Sequence, residues 1–154
     1  MTQLNIINYE PKHQPIFKAL NEAWISKYFR MEAIDYEALN HPDTKILNSG
    51  GAILMVEYNG EIVGTCALIK MSPTKYELAK MAVSPTVQGK GIGYQLGMAI
   101  LEKAKSLGAK TVYLESNTIL TPAMKLYEKL GFVEIPRTPA PYERCNIQME
   151  VYFN

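Results

Sequence analysis

The chain has 154 residues, 47% of them hydrophobic and 20% charged, which suits one globular domain (residues 1–154) with a buried core and argues against disorder. Sixteen Lys and Arg stand against fifteen Asp and Glu, a formal net charge of +1, so the basic excess of a nucleic-acid binder is missing and no such partner is expected. No apolar run approaches the roughly 20 residues that cross a bilayer, and residues 1–10 show no basic region followed by an apolar stretch, so neither a membrane partner nor a secretion signal is expected.

Residues 4–9 alternate apolar and polar and predict a first strand. Pro15 suits an early helical position, and Ile16, Leu20, Ala23, Trp24 and Tyr28 recur at helical spacing as the expected buried stripe. A short helical stretch over residues 35–39 ends near His41-Pro42, and residues 43–47 add a turn before Gly50-Gly51. Residues 52–58 and 61–71 read as strands joined by Asn59-Gly60, a strong hairpin signal. Another strand spans residues 75–83.

An amphipathic helix follows over residues 91–107, with Ile92, Leu96, Ile100, Ala104 and Leu107 on one face and Gly108 at its C-terminus. Residues 111–116 predict a strand, residues 122–130 a helix closed by Gly131, and residues 148–153 a final strand. This order builds an α/β (α+β) sandwich, a mixed sheet with helices on its faces. The apolar end of the last strand, Met149 to Phe153, offers an edge that a homodimer would use.

Cys66 and Cys145 lie far apart without metal-like spacing and read as free thiols, which points to a cytoplasmic location. His13 precedes Pro15 at a helix start and His41 precedes Pro42 in a turn. Neither has a Ser, Cys or carboxylate at a recognisable spacing, so neither a nucleophilic triad nor a metal site is expected.

The most informative stretch is Met81-Ala82-Val83-Ser84-Pro85-Thr86-Val87-Gln88-Gly89-Lys90-Gly91-Ile92-Gly93, a strand passing through a glycine-rich turn into a helix. Glycines at every second position leave backbone N–H groups free to converge on an anion, and the helix N-terminus adds its positive end. Lys90 adds a mobile charge. A dinucleotide fingerprint would need glycine or alanine where Tyr94 or Leu96 stands, and no Gly-Lys-Ser/Thr ends the loop as in a P-loop. A bare glycine triplet also suits a plain turn before a helix.

Gln88-x-x-Gly91-x-Gly93 resembles the signature loop of the GCN5-related N-acetyltransferase (GNAT) family, whose members hold the acetyl-CoA pyrophosphate there. Glu77-Leu78-Ala79-Lys80-Met81-Ala82-Val83 resembles the preceding strand, residues 112–117 the following one, and Pro122-Ala123-Met124-Lys125-Leu126-Tyr127-Glu128-Lys129-Leu130-Gly131-Phe132 the next helix and turn. The likeness runs over about residues 52–132. It implies a mostly antiparallel sheet of six to seven strands flanked by helices, and an enzyme moving acetyl from acetyl-CoA, its co-substrate, to a primary amine of a small molecule. The alternatives are an acetyltransferase acting on lysine or the N-terminus of proteins, and an acetyl-CoA-binding module without catalysis.

The resemblance also assigns roles. Met81, Ala82 and Val83 would hold the pantetheine arm and thioester carbonyl through the backbone, and Gln88, Gly89, Lys90, Gly91, Ile92 and Gly93 the pyrophosphate. Asn117 would contact the arm or orient Tyr127, although it also suits a turn. Lys125 and Lys129 would approach the adenosine phosphates or form a solvated face. Tyr127 takes the place of the general acid that protonates the departing thiolate, against the alternative of a core aromatic. A phenol near about 10 and a thiol near about 8.5 are reasonably matched for that transfer. Glu77 matches a catalytic glutamate that takes the proton of the amine; Glu115 and Glu32 are weaker candidates. Tyr28, Phe29 and Glu32 are expected to line the acceptor pocket, with Tyr142 and Arg144 closing it after the proline-rich residues 136–141. Arg144 suits an acceptor carboxylate, making the acceptor a small amino-acid-like amine, or else a surface pair with Glu143 or Glu150.

Overall fold

Alternating apolar residues and tight turns assemble the first half of the sheet. The computed structural model describes residues 3–154; Met1 and Thr2, part of the segment read for a secretion signal, lie outside them. Strand β1 (Leu4–Asn8) pairs antiparallel with β2 (Ala52–Tyr58), and β2 with β3 (Glu61–Ser72). The β2–β3 link is the expected Asn59-Gly60 hairpin, with φ of 51° and 85°, the left-handed pair that a type I′ turn requires.

Strand β4 (Lys75–Val83) lies antiparallel to β3. The chain then crosses over through α3 (Ile92–Ser106), and β5 (Thr111–Ser116) joins β4 in parallel, the one parallel pairing among the described residues. Helix α4 (Thr121–Lys129) leads to β6 (Val133–Ile135), and β7 (Ile147–Tyr152) inserts between β5 and β6, completing the order β1-β2-β3-β4-β5-β7-β6. The seven-stranded, mostly antiparallel sheet has the expected architecture. Strand β6 is an addition, too short to show a period. The final strand is not a free edge over Gln148–Glu150, where β7 lies between β5 and β6; Val151 and Tyr152 are paired with β5 and lie beyond the reach of β6.

Two helical layers cover the two faces. On one, α1 (Gln14–Tyr28) and α2 (Ala33–Asn40) bring Phe17, Ala38 and Leu39 onto Ile53, Met55 and Ala67. The buried stripe of α1 is Phe17, Asn21 and Ile25, while Ala23 and Tyr28 are exposed, so the expected stripe is turned from the true one. The reason is Asn21, a polar residue that packs inside because its amide donates to the Phe17 carbonyl (3.0 Å) and accepts from Trp24 Nε1 (3.0 Å). On the other face, α3 buries the expected Ile92, Leu96, Ile100 and Ala104 against Leu54, Val56, Cys66 and Leu68. Each large aliphatic side chain so buried contributes about 1.5–3 kcal/mol.

Helix α4 has no fully buried residue; Met124, Leu126 and Tyr127 pack its inner side against the α3-side core. A Cβ on Gly97 would lie 2.5 Å from Leu130 Cδ1. Gly97→Val is therefore expected to destabilise the fold by about 1–3 kcal/mol through overpacking and to loosen α4, measured as a lowered melting temperature. An unchanged melting temperature would show that Leu130 is free to move aside.

Candidate active site

The site exists because two neighbouring strands part. Strands β4 and β5 pair only at Lys75–Thr111, Tyr76–Val112 and Glu77–Tyr113, although both run on beyond that point. A bulge in β4 shapes the opening: Thr65 faces Ala82 and Ala67 faces Ala79, so Lys80 and Met81 together oppose Cys66. Lys80 sits at φ 51°, a left-handed conformation unusual for a side-chain-bearing residue. The extra residue shifts the alternation. Tyr76 and Leu78 pack in the α3-side core, and so do Met81 and Val83, which an unbroken strand would place on opposite faces.

Backbone direction follows from the same count. Ser84 N–H donates to Val63 O across the β3 side (2.7 Å), so alternation sends the peptide groups of Met81 and Val83 the other way, into the gap. Beyond them the chain turns through Gly89 (φ 83°) and Gly91 (φ 76°), and the first turn of α3 closes with Gln95 N–H on Gly91 O, leaving the N–H groups of Ile92, Gly93 and Tyr94 without partners within the helix. Gap and helix end form one cleft of about 570 Å³, within the usual size of ligand sites.

The cleft brings together Glu77, Met81, Ala82, Val83, Gln88, Gly89, Gly91, Ile92, Gly93, Asn117 and Tyr127, with Tyr28, Phe29, Tyr142 and Arg144 at its other end. Lys90 is exposed on the loop and outside the lining, as are Lys125 and Lys129; the Lys129 ammonium lies 4.3 Å from the centre of the Tyr94 ring. Asn117 Nδ2 donates to Arg144 O (2.8 Å) and its Oδ1 accepts from Ile119 N–H (2.9 Å), so its amide ties the loop after β5 to the loop before β7. Trp24, whose helical spacing points to the core, and Lys80, placed there only by the bulge, also line the cleft.

The cleft passes through the sheet. Val112 and Leu114 pack in the α3-side core, so Tyr113 and Glu115 face the α1–α2 side, as does Glu77 opposite Tyr76 and Leu78. Tyr127 packs on the α3 side, edge-on to Phe132 with ring centres 6.0 Å apart. Burial pushes its phenol up from the ordinary value, with the Cys66 thiol adding, so the hydroxyl keeps its proton at neutral pH. Burial likewise raises Glu77, the Glu115 charge adds to it and Lys80 opposes, and the carboxyl settles at about 7.

A buried charge cluster closes the α1–α2 end. Asp35, fully enclosed, takes both terminal nitrogens of Arg144 (2.8 and 2.6 Å) and the Lys80 ammonium (2.5 Å). Arg144 also reaches Glu32 (3.3 Å), and Lys80 reaches the Tyr142 hydroxyl (3.1 Å). Burial alone would raise the Asp35 pKa, but the Arg144 hydrogen bonds and the Lys80 charge hold it at about 2. Glu32 lies behind the lining, where it also accepts from Glu143 N–H (3.1 Å). The surface pairing expected of Arg144 is not found: Glu143 bonds Arg30 and Glu150 bonds Lys75 (both 2.6 Å). Its guanidinium is already matched by Asp35 and Glu32, which leaves little positive charge for an acceptor carboxylate.

The comparisons agree with this geometry. The sequence pattern of the family described as "Acetyltransferase (GNAT) family" matches residues 14–132. The Escherichia coli (strain K12) N-acetyltransferase YjgM, itself described as uncharacterized, is 38% identical over 89 residues, covering 56% of this chain and 53% of that protein. The chain spans about half the length of the curated relatives it matches. A GNAT-family acetyltransferase structure from Staphylococcus aureus Mu50 superposes with a TM-score of 0.89 at 23% identity, over 97% of this chain and 99% of that one. The Salmonella typhimurium protein YncA, described as a putative acetyltransferase with its cofactor acetyl-CoA, superposes with a TM-score of 0.76 at 17% identity, over 99% and 95%. Among the described residues no helix is long and apolar enough to cross a membrane.

Proposed function

The chain belongs to the acetyltransferase (GNAT) family, and on that premise we propose that it transfers the acetyl group of acetyl-CoA to the primary amine of a small molecule. The observation that carries this reading is the parting of β4 from β5 after Glu77 and Tyr113, which leaves the Met81 and Val83 peptide groups without a β5 partner and leading toward the α3 N-terminus. Those features fit a long thioester arm joined to a diphosphate. The glycine loop and the free N–H groups of α3 hold the diphosphate, and the β4 backbone holds the arm and polarises the thioester carbonyl.

Catalysis then falls to groups on opposite faces of the sheet. Glu77 takes a proton from the incoming ammonium, and the freed lone pair forms the new C–N bond. Tyr127 gives its proton to the sulfur as the C–S bond breaks, and the second N–H proton, shed by the nitrogen as the amide forms, restores the phenol. Trp24, Tyr28, Phe29, Tyr142 and Arg144 enclose the acceptor side, with Glu32 holding Arg144 from behind. Two buried free thiols, Cys66 and Cys145, support a cytoplasmic location for this chemistry.

Calorimetry with acetyl-CoA and thiol release across an amine panel test the reading. Binding without thiol release would leave a non-catalytic module, and absence of binding would remove the proposal. With a reactive amine, kcat/KM is expected to rise with pH through about 7 as Glu77 loses its proton. Glu77→Gln should remove that limb and lower kcat/KM by about a hundredfold. A limb retained in the variant would assign it to another group.

A further inference from the structure

The charges around the acceptor end do not balance. Asp35 and Glu32 stand against Lys80 and Arg144, two anions and two cations in direct contact, so this cluster is neutral as a unit. Glu77 and Glu115 lie outside it on the same side of the sheet, separated by the β4–β5 gap. Glu115 Oε2 accepts from the Tyr113 hydroxyl (2.7 Å). Its Oε1 is buried and, among the described residues, has no hydrogen-bond partner. An unpaired buried acceptor is unfavourable by itself, and more so on a charged group. A ligand that brings N–H donors and a positive charge would complete it. Trp24, Tyr28 and Tyr142 line the same cleft and suit the apolar stem of such a ligand.

We propose that Glu115 Oε1 receives the acceptor as its ammonium, opposite the Glu77 carboxyl, and so selects primary amines that carry no carboxylate beside the amino group. The inference rests on the acetyl-transfer reading and names the acceptor class for that site. Glu115 Oε1 holds the nitrogen, and Glu77 removes one N–H proton. An acceptor carboxylate would face Glu115 with like charge, while Arg144 is already matched by Asp35 and Glu32.

The same pairing couples the two glutamates. Glu77 is faced by Glu115 and Tyr113 from β5, by Lys80 on its own strand and by Tyr142 from the loop before β7, with Asp35 and Arg144 behind Lys80. Tyr113, Tyr142 and Cys145 face Glu115. Neutralising Glu115 removes the like charge nearest Glu77.

Phenethylamine and phenylalanine differ only in the carboxylate and serve as probes, titrated by calorimetry into protein saturated with CoA. The wild type is expected to bind phenethylamine at least about tenfold more tightly than phenylalanine, and Glu115→Gln to lose about tenfold to a hundredfold of the phenethylamine affinity. Carbon-13 NMR of the glutamate carboxyls, run without ligand, should show Glu77 titrating lower in Glu115→Gln than its wild-type value of about 7. A merely structural role for Glu115 would not move that titration. Should Glu115→Gln fail to fold, Glu115→Asp, which withdraws the carboxylate by one methylene, should weaken phenethylamine in the same direction. Unchanged phenethylamine affinity with an unmoved Glu77, or a wild type that prefers phenylalanine or ignores both probes, overturns the proposal. Acetyl-CoA affinity, measured separately, reports on the acetyl-transfer reading alone, so either idea can fail without the other.

Discussion

Replacing Tyr127 by Phe is expected to lower kcat by about a hundredfold to a thousandfold while leaving the dissociation constant for acetyl-CoA unchanged. The ring of Tyr127 packs in the α3-side core and meets Phe132 edge-on, contacts that phenylalanine keeps. Only the hydroxyl is lost. Burial holds that hydroxyl protonated well above neutral pH, so in the parent it is a proton donor throughout the working range. Without it the thiolate must leave unprotonated or take its proton from water. Leaving-group dependence is the sharper readout: acyl donors with more acidic thiols should lose less rate in the variant. Equal turnover by parent and variant would strip Tyr127 of the role and return it to the core.

Asp35→Ala should destabilise the protein by about 3–5 kcal/mol, because it leaves two buried cations facing each other with the Glu32 carboxylate as their remaining anionic neighbour. Chemical denaturation near neutral pH measures the loss. The sign of its pH dependence is fixed by the shift. Asp35 is lowered from 3.8 to about 2, so its contribution is complete above the unfolded value and fades as pH falls through about 2. The gap between parent and variant is therefore expected to narrow in acid. A gap that widened there, or a stability change within the range of an ordinary surface substitution, would mean that the cluster is not held together by Asp35. Loss of acceptor binding should accompany unfolding only in part, since Arg144 and Tyr142 are positioned through the same carboxylate and its lysine.

How far the residues alone disclosed this molecule depended on whether their signal was local. The Asn59-Gly60 hairpin, the α3 stripe and the glycine loop each sit within a few residues, and their backbone preferences are strong enough to be read directly. The α1 stripe was misread because Asn21 satisfies its amide within its own helix, which makes a polar residue acceptable inside. Strand β6 was invisible because three residues carry no usable period. The cluster around Asp35 was hidden for a different reason: its members come from α2, the β4 bulge and the loop before β7, and no spacing links them. Glu77 was legible only by family likeness; its proximity to Glu115 is a matter of strand pairing.

The left-handed kink at Lys80 bears on how this chain tolerates insertion and deletion. Removing one residue between Ala79 and Met81 would restore regular alternation, and β4 would zip more evenly against β3. It would also turn the Met81 and Val83 peptide groups toward that neighbour and swap their side chains to the opposite layer. Such a shortened variant could gain backbone regularity and still be unable to seat a thioester. The same deletion would take the Lys80 ammonium away from Asp35, so the irregular strand serves the buried charge cluster as well as the cleft.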